Sequence, residues 1–325
     1  MSLFQTEAWQ TAWWGLWGGT SGFDPVVAGS SGVSGLYVDR YRFKHVLPVR
    51  CLQFVGTNYR RISTPRTEYN TFGLEHGDAA ASFGAVERLL SSVCWSEAVF
   101  KDMLADSKEV AWLRQLSDDH GWGLRVVAED SAFSINTRGT FEDYLKGLGQ
   151  NSRLRLYNRR KVLEGLGKIS EANFWPDRAG EFFECLNAFH VERWGSPCFN
   201  PDSLKFHEMF LRDVADEGGE PRLSVMTCDG SVVSVLYNVI YSGVVYNIQA
   251  GFLETFHKKL ALGTLHLGYS IENAFHARDI HCFDMLAGSG KNENYKVRIA
   301  TDRVSLTSIM LVKSPLFKLL YSLKK

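Results

Sequence analysis

Apolar residues recur along the chain at two spacings, near 3.6 and near 2, and the switches between them mark out its elements. The first nineteen residues, MSLFQTEAWQTAWWGLWGG, read as an aromatic amphipathic helix. Strands are predicted over 25–28, 35–38 and 50–55, followed by a polar loop over 57–70. Helical spacing returns at 83–90 and 110–116, then strands at 124–128 and 132–136. A basic helix is predicted over 141–166, with Leu145, Leu148, Leu154, Leu156, Leu163 and Leu166 as its apolar positions. Gly165 and Gly167 then stop it.

The second half repeats the mixture without repeating the sequence. A strand over 168–173 precedes a helix over 178–194, whose apolar stripe contains Phe182, Phe183, Leu186 and Phe189. Asp202 is read as the cap of a helix over 203–214. A meander follows, with strands at 222–227, 232–241 and 244–250; Asp229-Gly230 and Ser242-Gly243 form its turns. A helix over 263–277, strands over 281–285 and 304–312, and a terminal amphipathic helix complete the chain. With 325 residues the chain exceeds what one core usually serves. Two domains are therefore expected, over 1–166 and 167–325.

Composition narrows the class. The chain is 45% hydrophobic and 22% charged, as globular proteins are. Its formal net charge is +0, which argues against general nucleic-acid binding as the main activity. Six scattered cysteines form no C-x-x-C pair, so no metal site and no disulfide framework are expected. No apolar run approaches the ~20 residues of a membrane span, and the N-terminus lacks a basic leader. A cytoplasmic protein is the expectation; its oligomeric state is not read from the sequence.

Residues 244–296 carry the most chemistry. An apolar strand leads to Lys258-Lys259-Leu260-Ala261-Leu262-Gly263, and the next helix begins there. A helix start presents free N–H groups and a positive dipole end to an anion. Leu262, Gly263 and Thr264 are therefore candidate pyrophosphate-binding residues, with Lys258 and Lys259 beside them. An ordinary strand–helix turn is the competing reading. Asp284 sits in an apolar strand, where a carboxylate is either functional or structurally paired. His190 and Arg193 share a helix face, and Asn247 and Gln249 one side of a strand by alternation. All four are candidates for acceptor binding, or for ordinary packing and ion pairing. Arg153, Arg155, Arg159, Arg160 and Lys161 form either a solvated helix face or a polyanion-facing surface.

The order hairpin, strand, Gly turn, helix and short strand with a central Asp resembles the GNAT acyltransferase core. In that family the turn reads Q/R-x-x-G-x-G/A; here Gly263 is kept, while Ala261 and Lys258 replace the other positions. A wider resemblance covers nearly the whole chain. It rests on Phe4–Trp9 with Trp13-Trp14, 52–56, 153–160, 190–194, 261–265, 283–288 and Tyr295-Lys296. On these the chain resembles the CelD/BioF2-like acetyltransferase group, relatives of the FemAB peptidoglycan aminoacyltransferases.

That resemblance implies an α+β fold of two tandem GNAT-like domains, each a mixed, mostly antiparallel sheet flanked by helices. The N-terminal domain would be degenerate and the C-terminal one active. It implies transfer of an acyl group from acyl-CoA or acetyl-CoA to an amine or hydroxyl of a small or sugar-linked acceptor. Cell-envelope or exopolysaccharide biosynthesis is the setting it suggests. Lys296 would stabilise the oxyanion, with Asp284 and Tyr295 as further catalytic candidates. Two alternatives stay open: an aminoacyl-tRNA-dependent Fem-like transferase, the one setting in which a nucleic acid enters, and a catalytically inactive module for polysaccharide export.

Overall fold

The computed structural model describes residues 1–26, 35–73, 79–288 and 293–323. Its strands are β1 (Asp24–Val26), β2 (Leu36–Phe43), β3 (Leu47–Phe54), β4 (Glu97–Leu104), β5 (Gly123–Asn136), β6 (Ile169–Asn173), β7 (Glu220–Cys228), β8 (Ser231–Tyr241), β9 (Val244–Phe252), β10 (Cys282–Ala287) and β11 (Asp302–Val312). The chain forms two compact units: Met1–Ser131 with Val304–Lys325, and Ala132–Arg303. The first unit is thus completed by the C-terminus, and the second begins well before residue 167. A cut in sequence at 166/167 does not follow this division, because Leu156 and Leu163 belong to the cores of the second unit.

In the first unit β1, β2 and β3 are antiparallel, β3 and β4 parallel, and β4 and β11 antiparallel. One face packs Leu52, Phe54, Ala98, Phe100, Ile309 and Leu311 on the helices Ala79–Ser92 and Lys108–Asp119. The opposite face is mixed. Asp39 and Glu97 are fully buried on it, where isolated charge would be very costly. Arg61 reaches Asp39 at 2.8 Å and Arg60 reaches Glu97 at 2.8 Å. The predicted polar loop over 57–70 is therefore a fixed, ion-paired cover. Of the helix read over the first nineteen residues, Glu7–Trp13 is α-helical, capped by Thr6, with a tight turn Leu3–Gln5 before it and a wide turn Trp14–Gly18 after it.

In the second unit β6 to β9 run antiparallel, β9 and β10 are parallel, and β10 pairs antiparallel with the end of β5. The strand directions follow the same succession as in the first unit. Side chains alternate along β8. Ser234 and Asn238 meet the helix Leu262–His276. Tyr237 faces the other way, towards the helices Ala179–Trp194 and Pro201–Asp216. That mixed α+β architecture is the class expected.

Several sequence expectations change in detail. The stretch over 141–166 is not one helix: it breaks into Phe141–Gly147, Gln150–Arg153, a wide turn Leu154–Asn158 and Arg160–Glu164. Leu148 is extended between two glycines, which ends the first piece. The cap of Pro201–Asp216 is Asn200, whose side chain accepts from the Ser203 N–H, rather than Asp202. The two strands read over 124–136 are one. Residues 27 and 28 of the strand read over 25–28, and residues 289–292 of the glycine loop, lie outside the described residues.

The core of the second unit contains a testable titration. His207 is 1% exposed, packed by Phe183, Phe199 and Phe206, with Nδ1 at 3.1 Å from the Tyr237 hydroxyl. Burial pulls its pKa from the ordinary 6.5 down to about 3. A depressed histidine pKa means that the unfolded state binds the proton first. Stability is therefore complete above about pH 6.5 and falls as pH drops towards 3. Between pH 7 and pH 5 this single group should remove about 2 kcal/mol. His207→Phe should flatten that part of a denaturation-versus-pH curve; an unchanged slope would sink the assignment.

Candidate active site

The strands β9 and β10 lie side by side for only three rungs: Val244 with Cys282, Val245 with Phe283 and Tyr246 with Asp284. Beyond them the two strands no longer pair, although both continue. The split leaves one arm of β9, residues 247–252, and one arm of β10, residues 285–287. Each arm has peptide groups that the parallel ladder no longer satisfies. The site residues predicted from sequence distribute over these two arms.

On the β10 arm the ladder with β5 also slips, between Asp284 and Ala287, and Leu286 adopts φ 61. Two side chains hold this kink. Asp284 Oδ1 accepts the Leu286 N–H at 2.7 Å. Lys296 Nζ donates to the Leu286 and Ala287 carbonyls at 3.0 and 2.9 Å. Both side chains are 7% exposed. Asp284 and Lys296 are thus brought together around one strained residue, and Lys296 is a buried lysine rather than a surface one. Tyr295 packs against the core of Phe133, Phe283 and Ile299, and burial raises its phenol pKa.

The β9 arm gathers the remaining groups. Gly263 lies on the helix Leu262–His276, where a Cβ would stand 2.4 Å from the Phe252 ring. Its backbone is ordinary helix, so glycine is required here by the aromatic ring rather than by a turn. On the same ring rests Arg193, its guanidinium 4.9 Å from the centroid and its Nε 3.2 Å from Glu254. His190 Nε2 lies 3.0 Å from the Ala250 carbonyl. A carbonyl only accepts, so Nε2 carries the hydrogen and Nδ1 is the basic nitrogen. Burial lowers the His190 pKa, the Ala250 carbonyl opposes it and Arg193 adds to the lowering, which keeps the ring neutral near pH 7. Phe252 therefore joins the predicted donor turn to the predicted acceptor face, a link absent from the sequence reading.

The helix beginning at Leu262 differs from several others in this protein. Thr6, Ser107, Thr140, Asn200 and Ser314 each cap a helix with a side chain. Ala261 cannot, so the first N–H groups, those of Leu262, Gly263 and Thr264, have no capping side chain. An uncapped start with exposed Lys258 and Lys259 just before it fits an anionic group.

Asn247 and Gln249 do not act as a pair. A bulge places Gln249 opposite Tyr237 and Asn247 opposite Asn238, so Ile248 is extra and the strict alternation is broken. Asn247 donates to Asn238, which donates to Ser270. Gln249 Oε1 accepts from the Ala250 N–H.

Further polar groups fix the helix to the sheet. His266, fully buried, lies 2.9 Å from both Ser234 and Ser224, and Ser224 donates to Glu171 at 2.6 Å. Arg160 pairs with Glu272 and stacks on Tyr269 at 3.7 Å. That cation is structural, whereas Arg155 and Lys161 are exposed. Gly268 lets the wide turn approach, since a Cβ there would stand 2.1 Å from the Leu156 carbonyl. Among the described residues no cluster of three metal-ligating side chains occurs, and no helix is long and apolar enough to cross a membrane.

These features define a GNAT-type fold, and the comparisons agree. Residues 150–297 match the acetyltransferase (GNAT) domain model. The likeness of that stretch to a GNAT acetyltransferase domain supports an acyltransferase. Among solved structures it is similar to FemX, at 11% identity and TM-score 0.62 over 98% of this chain and 94% of that one. A conserved protein of unknown function from Bacteroides thetaiotaomicron matches at 9% identity and TM-score 0.57, over 94% and 90%. L-PGS from Bacillus licheniformis matches at 9% and 0.50, over 96% and 93%. These likenesses show a shared fold. No curated protein matches the chain.

The close approach of Phe252 to Gly263 gives a direct check. Gly263→Ala should destabilise the second unit by about 1–3 kcal/mol, the usual cost of overpacking. Phe252→Leu should recover much of that loss. Urea unfolding of the two single variants and the double variant measures the coupling; strictly additive losses would show that the ring does not set the requirement.

Proposed function

We propose that the second unit transfers an acyl group from acyl-CoA to an amine or hydroxyl of a small or sugar-linked acceptor. The observation that carries this reading is the split of β9 and β10 after three rungs. The parting of the two strands suits an extended, amide-bearing chain, such as the pantetheine arm of a CoA thioester, laid between them by strand-like hydrogen bonding. The uncapped N–H groups of Leu262, Gly263 and Thr264 would take the pyrophosphate, with Lys258 and Lys259 adding charge.

In this reading the chain's residues hold and orient more than they react. Lys296 and Asp284 hold the kink of the β10 arm by taking the Leu286 N–H and the Leu286 and Ala287 carbonyls, which would keep that arm parted from β9 beside the thioester. The acceptor attacks the carbonyl carbon, the C–S bond breaks, and the thiolate leaves. Tyr295, kept protonated by burial, is the candidate donor to that thiolate. His190, neutral and with Nδ1 basic, suits the proton released by the acceptor. Arg193, Asn247 and Gln249 would border the acceptor.

The first unit supports a degenerate role. Its parallel pair, β3 with β4, also runs for three rungs, and β4 also kinks, at Asp102 with φ 50. There its own loop fills the position: Asn70 N–H donates to the Asp102 carbonyl and Asn70 Nδ2 to the Lys101 carbonyl. Arg66 bonds the Asp102 carboxylate at 2.8 Å. We infer tandem GNAT-like halves of which the first is closed on itself.

A second reading, aminoacyl-tRNA as donor, draws on the FemX-like fold and on Arg153, Arg155, Arg159 and Lys161. None of these four has a carboxylate partner among the described residues. Titration calorimetry with acetyl-CoA and longer acyl-CoAs should show saturable binding that Thr264→Pro abolishes, and hydrolysis-corrected acyl transfer to an amine panel. No binding of any CoA thioester, with a gel shift by charged tRNA, would replace the first reading by the second.

A further inference from the structure

The first unit has a cavity of about 500 Å³ that the acyltransfer reading does not use. Its walls combine Pro48, Arg50, Cys94, Trp95, Lys313 and Pro315, with no carboxylate among the lining residues. All of them belong to the first unit, so the site stands or falls independently of the proposed catalysis.

Two cations meet there on a rigid frame. Arg50 lies on β3, its N–H bonded to Ser96 Oγ at 2.9 Å. Lys313 follows β11, and its N–H and that of Ser314 both donate to the Ser96 carbonyl. Arg50 Nη1 donates to the Cys94 sulfur at 2.7 Å. Lys313 Nζ lies over the Trp95 and Trp122 rings, at 5.2 and 5.8 Å, and donates to the Ser91 carbonyl at 3.2 Å. Neither cation has a carboxylate partner among the described residues, where eleven other lysine or arginine contacts with carboxylates form, in a chain of zero formal net charge. Two fixed, unneutralised cations beside an apolar wall are a receptor for charge on an apolar body.

We propose that this cavity is a binding site for a small organic anion. Its ring or chain lies against Pro48, Trp95 and Pro315, and its phosphate or carboxylate lies on Arg50 and Lys313. Cys94, the exposed cysteine, reports occupancy from within the site.

The probe is phenyl phosphate, with benzoate, inorganic phosphate and phenol as comparison arms. Alkylation of Cys94 by a neutral maleimide is followed in the full chain, with Cys94→Ser to subtract the other thiols. Phenyl phosphate should slow labelling saturably and more effectively than phenol at equal concentration, by up to about fivefold for each ion pair near a surface. Benzoate acting alike would identify charge as the recognised feature, and inorganic phosphate acting weakly would assign the remainder to the apolar wall. Arg50→Gln and Lys313→Gln, checked for unchanged melting temperature, should each weaken protection by a similar factor. Equal protection by phenol, no saturable protection at all, or full protection in the folded double variant each overturns the proposal.

Discussion

Two parallel strands that part after three rungs set the problem that much of this molecule answers. A strand that leaves its partner exposes peptide groups, and inside a protein these must find other partners. On the β10 arm a buried ammonium and a buried carboxylate take the task. Lys296 collects two carbonyls and Asp284 collects an N–H, all around Leu286 in its left-handed conformation. A non-glycine residue in that conformation costs about 1–3 kcal/mol and persists only when its surroundings over-determine it. Three charge-assisted hydrogen bonds within three residues are such surroundings.

The first unit meets the same constraint differently. Its β4 arm kinks at Asp102, and the carbonyls there are taken by Asn70, from a loop pinned through Arg60, Arg61 and Arg66. Gly56, at φ 94, admits Thr67 to that loop, since a Cβ would stand 2.8 Å from the Thr67 hydroxyl. A backbone edge satisfied by the protein's own amide is closed to a substrate amide. On the β10 arm the corresponding carbonyls are taken by one lysine side chain rather than by a loop laid along the strand. The difference between the halves is thus one of what covers the arm, and it follows from a single loop.

Much of the second unit was legible in the sequence because its signals are local. Period-two runs and Asp-Gly or Ser-Gly turns give β7, β8 and β9 nearly to the residue, and the fall of Asp284 among apolar neighbours gives β10. What escaped is non-local. The strand β4 went unread because its run carries Lys101 and Asp102, and their kink breaks the alternation. The division into units was not legible because the C-terminal residues close the first one, and no local pattern records which strand another pairs with. Gly263 and Lys296 were singled out as candidates, but their surroundings were not legible: the ring beside the glycine lies eleven positions earlier, and the carbonyls that the lysine meets arise from a φ no side chain announces.

Phe252 shows how such reasons combine. It sits at the end of the β9 arm, against Gly263 on one side and Arg193 on the other. Pushing the ring away from the helix start would move Arg193, release Glu254 and disturb the strand whose Ala250 carbonyl orients His190. The helix start cannot shift to compensate, because His266 is held between Ser224 and Ser234, and Gly268 is seated against Leu156. Interiors packed this closely transmit displacement rather than absorb it. The uncapped start of the helix and the face bearing the neutral histidine are therefore one mechanical element. A change at Gly263 would be felt by both ends of the transfer reaction proposed for this site.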